Sequence, residues 1–161
     1  KDGLFQAAHN GTLFLDEISE MALELQPKLL RAVERKEVRP VGSTDSTPVN
    51  VRIISATNRD LTVIQRTGGI RRDLWHRLVE MIIYVPPLRE RPEDIPALSR
   101  ALLDGEGYQD VRLSSSAIQA LRGYRWPGNV RELRAVLIRS VVMAGTNRIH
   151  ARDICIDHLP S

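Results

Sequence analysis

The sequence predicts an α/β fold, a parallel sheet with flanking helices, followed by a smaller all-helical subdomain. Three observations carry this expectation. Two short apolar runs, Thr12-Leu13-Phe14-Leu15 and Val51-Arg52-Ile53-Ile54-Ser55-Ala56, are each bounded by turn-forming residues and separated by a helical pattern. A charged, proline-bearing connector, Leu88-Arg89-Glu90-Arg91-Pro92-Glu93-Asp94, then changes the character of the chain. Beyond it every signal is helical. A short apolar run closed by turn residues suits a strand buried on both faces, as in a parallel sheet.

In chain order, Gly3 to His9 reads as a short helix closed by the Asn10-Gly11 turn. Gly11 to Leu15 is the first strand, with Asp16 and Glu17 at its carboxyl end. Open α/β sheets place their ligands there. Two adjacent carboxylates at such a position suit separate tasks, one holding Mg²⁺ and the other orienting an attacking water. Taken alone, the string reads more readily as a buried strand ending in solvated acids. Ile18 to Lys36 carries Ile18, Met21, Leu25, Leu29, Leu30 and Val33 at helical spacing. Pro27 cannot sit inside that helix without deleting a hydrogen bond. The helix therefore begins near Leu25, with Pro27 in its first turn, or bends there.

Val38 to Val49 is polar and rich in turn formers, a loop or irregular hairpin. Val51 to Ala56 is the second strand, and Asn58 follows at its carboxyl end, where its side chain can bond a water or a phosphate oxygen. A helical stretch from Leu61 to Arg66 runs to a break at Gly68-Gly69. The next helix places Ile70, Leu74 and Leu78 on one face, leaving Arg71 and Arg77 on others. Met81 to Val85 reads as a third strand, stopped by Pro86-Pro87. The α/β part ends near residue 87. From 88 to 161, helices are expected over Ile95–Leu103, Ser114–Gly123 with a serine N-cap, Asn129–Ala144, and briefly near Ala151–Ile156.

Composition narrows the function classes. Apolar content of 42% and charged content of 27% are ordinary for a globular chain of 161 residues. No run is long and apolar enough to cross a bilayer, which points to a cytoplasmic protein with no membrane partner. The single cysteine excludes an internal disulfide and a cysteine-rich zinc site, and the four histidines show no ligand spacing. The net charge of +3 comes from arginines interleaved with acids, a solvated mixed surface rather than a nucleic-acid stripe. The chain opens without methionine and reads as an excerpt from a longer one.

Four strings occur in order: Gly-Thr-Leu-Phe-Leu-Asp-Glu at 11–17, Ala-Thr-Asn-Arg-Asp-Leu at 56–61, Val-Pro-Pro-Leu-Arg-Glu-Arg-Pro-Glu-Asp-Ile at 85–95, and Trp-Pro-Gly-Asn-Val-Arg-Glu-Leu at 126–133. Together they resemble the central AAA+ ATPase domain of bacterial sigma-54-dependent transcriptional activators, over essentially the whole chain. The resemblance implies the C-terminal part of an AAA+ P-loop core followed by a helical lid, with ATP and Mg²⁺ as ligands. Gly11 to Glu17 then resembles the Walker B strand, with Asp16 on Mg²⁺ and Glu17 polarising the attacking water. Asn58 matches the sensor I position. Arg71 and Arg77 match arginine fingers that reach the ATP of an adjacent subunit, and Arg131 matches the sensor II arginine of the lid. Arg72 takes no role, and Arg39 to Pro48 corresponds to a loop before sensor I.

The implied activity is ATP hydrolysis in a ring, a hexamer by resemblance. It would be coupled to remodelling of sigma-54 RNA polymerase, with DNA bound through a separate domain. The family's phosphate-cradling Walker A loop and its sigma-contacting Gly-Ala-Phe-Thr-Gly-Ala loop do not occur in these residues, so the isolated chain is expected to be inactive. Three smaller departures are Ser19 where glycine is common, Pro27, and Gly68-Gly69-Ile70 for Gly-Arg-Phe. An alternative is a regulatory module of the same family that binds nucleotide or partners without engaging sigma-54. The lid string argues against a different AAA+ machine.

Overall fold

The computed structural model describes residues 3–39 and 45–156. Its contacts divide the chain into two compact units, residues 1–83 and 84–161.

In the first unit, α1 (Leu4–Ala7) turns into β1 (Gly11–Leu15), which pairs in parallel with β4 (Val51–Ser55), Gly11 opposite Val51 and Leu15 opposite Ser55. Between them lie a 3₁₀ turn (Ile18–Glu20), α2 (Gln26–Arg35), and an antiparallel pair, β2 (Glu37–Val38) with β3 (Thr47–Pro48). Pro27 falls in the first turn of α2, where a helix has no partner for its N–H. Of the two expected geometries for Val38–Val49 the hairpin holds, although residues 40–44 lie outside those described. Two further helices, α3 (Leu61–Thr67) and α4 (Arg72–Leu78), complete the unit. Asp60 caps α3 by accepting from the Thr62 N–H at 2.7 Å.

The core of this unit is Ile18, Leu29, Ile64, Ile70 and Leu74, with Leu15 and Ile53 packed against it from the sheet. Two sequence expectations need correction here. The strands are not buried on both faces: Phe14 is 59% and Ile54 46% exposed. Successive side chains of a strand point to opposite faces, and the helices of the described residues cover only one of them. Met81–Val85 is also not a strand. Its side chains stand 62% to 81% exposed, and the segment joins no sheet among the described residues. Its β-branched and aromatic residues suit a strand locally, but a strand also requires a neighbouring edge to bond.

The second unit is helical: α5 (Ile95–Gly105), α6 (Ser115–Arg122) and α7 (Asn129–Ala144). They enclose Leu88, Ile95, Leu103, Leu121, Trp126, Leu133, Leu137 and Ile149. Ser114 caps α6, its Oγ accepting from the Ala117 N–H at 3.2 Å. A short parallel pair unforeseen in the sequence, β5 (Arg112–Leu113) with β6 (Arg148–Ile149), links the α5–α6 connection to the segment after α7.

Candidate active site at the strand ends

Parallel pairing of β1 with β4 brings their carboxyl ends side by side. The ladder continues past both strands through Ala56 N–H to Leu15 C=O and Ile18 N–H to Ala56 C=O, each 2.9 Å. This sets Asp16 and Glu17 beside Asn58. Glu17 takes the left-handed conformation, φ 49° and ψ 49°, uncommon for a residue with a side chain. Its Oε2 accepts from the Asn58 N–H at 3.3 Å, and its own N–H donates to Asp16 Oδ1 at 3.0 Å. The Asn58 side chain makes no hydrogen bond among the described residues and is open to a ligand. Beneath, the hydroxyls of buried Ser19 and Thr57 lie 2.9 Å apart, which gives the serine at this position a specific use. Arg59 and Glu20 close the rim at 2.6 Å.

Among the described residues no group of three or more His, Cys, Asp or Glu side chains converges as a metal cage. Mg²⁺ is commonly held by one or two carboxylates together with waters and phosphate oxygens. Asp16 and Glu17 are a donor set of that kind.

Arg71, at the N-cap position of α4, and Arg77, within that helix, are engaged within the chain. Arg71 forks onto Asp73, Nε to Oδ1 at 3.1 Å and Nη2 to Oδ2 at 2.8 Å. That hydrogen bond foremost, with a second from the Leu74 N–H, lowers the Asp73 carboxyl to about 2, so the pair stays ionised at neutral pH. Arg77 Nε donates to Glu34 Oε1 on α2 at 3.0 Å. Both arginines are exposed, and exposed ion pairs are readily exchanged for a better partner.

Arg131 lies in the second unit, in the first turn of α7. Five of its neighbours in the string have structural tasks. Trp126 is fully buried and its Nε1–H donates to the Leu121 carbonyl at 2.8 Å. A Cβ on Gly128 would lie 2.8 Å from Glu132 Cβ, so only glycine fits. Asn129 Oδ1 accepts from the Leu88 N–H at 2.9 Å, and Glu132 Oε2 from the Gly128 N–H at 2.8 Å. Leu133 is in the core. Exposed Arg131, by contrast, has no hydrogen-bond or ion-pair partner among the described residues.

Sequence reasoning missed Gln26. This glutamine is 1% exposed and makes three bonds: Nε2 to the carbonyls of Met21 (3.2 Å) and Gly69 (2.9 Å), and Oε1 from the Arg71 N–H (2.8 Å). It fixes the start of α4 and hence Arg71, yet nothing in its local sequence marks it, because the two partners that tie it to α4, Gly69 and Arg71, lie over forty residues away. Gln26→Leu leaves buried polar groups unpaired at about 1–3 kcal/mol each. Urea unfolding is expected to show a loss of about 3 kcal/mol. A loss below about 1 kcal/mol would mean water replaces the amide.

Comparison with known proteins agrees with this architecture. The sigma-54 interaction domain matches residues 1–84 and the AAA+ ATPase lid domain residues 89–160. The chain is 43% identical to the response regulator protein PilR of Pseudomonas aeruginosa, over 99% of its own length and 37% of PilR. It is 42% identical to the sigma-54-dependent transcriptional activator SfnR of Pseudomonas putida, over 99% of its length and 44% of SfnR. Among solved structures, NtrX from Brucella abortus in complex with ATP superposes with a TM-score of 0.86 at 34% identity, over 96% of this chain and 37% of NtrX. The fold is thus that of an AAA+ core segment with its lid. The chain belongs to the sigma-54 interaction domain family, whose members include transcriptional activators. It spans less than half the length of these relatives.

Proposed function

We propose that the chain is the catalytic and sensing part of an ATPase that assembles as a ring and remodels sigma-54 RNA polymerase for promoter opening. The observation that carries this reading is the convergence of Asp16, Glu17 and Asn58 at the ends of two parallel strands. Asp16 holds Mg²⁺, which when bound neutralises charge on the phosphoryl group being transferred. The Glu17 carboxylate, aimed by the Asn58 N–H, polarises the attacking water, and the Asn58 amide reads the terminal phosphate. Arg71 and Arg77 exchange Asp73 and Glu34 for the nucleotide of an adjacent subunit, since an arginine keeps its charge and forks onto phosphate oxygens. Arg131 contacts nucleotide from the lid. Residues 1–87 serve as the α/β part and 88–161 as the lid, with DNA bound by another domain of the longer protein.

Family membership and the NtrX likeness support the nucleotide. Within these 161 residues there is no Gly-x-x-x-x-Gly-Lys loop, so the isolated polypeptide neither grips ATP tightly nor hydrolyses it. The test is open-complex formation on a sigma-54 promoter by the intact protein with ATP. Opening that is lost with Asp16→Ala while DNA binding persists supports the proposal. Opening that survives Asp16→Ala removes this carboxylate from the mechanism. Nucleotide-dependent DNA or partner binding with no opening by the parent favours a regulatory module.

A further inference from the structure

We propose that the cleft between α3 and α4 is a binding site for a small phosphate-bearing ligand, with Arg72 as its principal anchor. On α3, Thr62, Gln65 and Arg66 follow the three- and four-residue spacing of one helical face. On α4, Arg72, Trp75 and His76 do the same. The two faces line a cavity of about 670 Å³, within the size range of small-molecule sites.

Its charge is unbalanced. Arg71 also lines the cavity but is forked onto Asp73. Arg66 has Asp60 near enough for a minor attraction, behind the Thr62 hydrogen bonds that chiefly lower that carboxyl. The Arg72 guanidinium has no hydrogen bond or ion pair among the described residues. A free guanidinium in a cavity that Arg66 also lines offers the forked donor geometry that phosphate oxygens take, and an anion there offsets the positive charge of the lining. The half-buried Trp75 ring and the Gln65 amide add a flat apolar surface and a hydrogen-bonding group at the same wall. The lining shares Arg71 with the ATPase reading, but its anchor, Arg72, has no role in that reading, and Asp16, Glu17 and Asn58 are not among the lining residues.

The two tryptophans of the chain make the test direct, because Trp126 is fully buried and Trp75 reports on the cleft. The 161-residue chain is titrated with inorganic pyrophosphate in EDTA, at ionic strength held constant with chloride, and followed by tryptophan fluorescence and calorimetry. A saturable transition in or below the millimolar range is expected. Arg72→Ala should weaken it roughly tenfold, the loss of one charge-assisted contact. Arg122→Ala, an exposed arginine of α6, should bind like the parent, and far-UV circular dichroism checks that both variants fold. ATP is titrated in parallel. Tighter binding of ATP than of pyrophosphate assigns a nucleoside to the Trp75 wall, whereas equal binding assigns phosphate alone. The proposal is overturned by no saturable response to either ligand, or by Arg72→Ala binding with unchanged affinity.

Discussion

Glu17→Gln in the intact protein is expected to lower the ATP turnover rate by roughly a hundred- to ten-thousandfold, the range for losing a general base, while nucleotide binding changes little. The amide oxygen of glutamine still accepts the Asn58 N–H that now reaches Glu17 Oε2. The geometry is therefore kept and only the charge and basicity are removed. A fall in kcat without a matching rise in KM is what loss of a transition-state interaction looks like. The backbone of Glu17 points the same way. A left-handed conformation at a residue with a side chain is sparsely populated, and such residues cluster at functional sites. Steady-state ATPase assays with a separate nucleotide-binding measurement check the prediction. A kcat within a factor of about three of the parent would exclude Glu17 as the base, whose removal should cost far more.

Trp126→Ala should cost the helical unit about 3–5 kcal/mol, the usual range for truncating a buried aromatic. The ring is 0% exposed, packs edge-on against Tyr124 with centroids 5.0 Å apart, and is anchored by its N–H on the Leu121 carbonyl. Alanine empties the ring's volume and leaves that carbonyl without its indole donor. Alanine gains nothing at the backbone either, since φ is +52° there and only glycine relaxes in that region. Typical domains hold a margin of about 5–15 kcal/mol, so the unit would approach global unfolding. At about 4 °C or more per kcal/mol for a unit of this size, melting should fall by at least about 12 °C. Hydrogen exchange along α5 to α7 should rise together with it. Trp126→Phe, which keeps most of the volume, should lose much less. A melting point for Trp126→Ala within a few degrees of the parent would contradict the packing described here.

Much of this was legible in the sequence because it is local. The strands β1 and β4, the serine cap of α6 and the placement of Pro27 all follow from residues within a turn or two. Asp16, Glu17 and Asn58 were legible as candidates because a parallel sheet gathers its strand ends. What the sequence did not reveal depends on distant partners. Met81–Val85 has every local mark of a strand and finds no edge among the described residues. The open face at Phe14 and Ile54 follows from which helices are at hand, not from strand composition. The pairing of Arg112–Leu113 with Arg148–Ile149, the bonds of Gln26 to Gly69 and Arg71 and the Arg77–Glu34 contact all join residues far apart in sequence. The string at 126–133 reads in sequence as one motif, whereas the structure divides it: Trp126, Gly128, Asn129, Glu132 and Leu133 build the bundle, and exposed Arg131 has no hydrogen-bond or ion-pair partner among the described residues.

The most direct test of a shared-site ATPase is the hydrolysis rate per subunit of the intact protein against its concentration, with Arg77→Ala measured alongside. Completion of each site by an arginine from a neighbour predicts a rate that rises cooperatively with concentration and collapses in Arg77→Ala, although the variant still assembles. A rate per subunit independent of concentration, or an Arg77→Ala curve that overlays the parent, would contradict it.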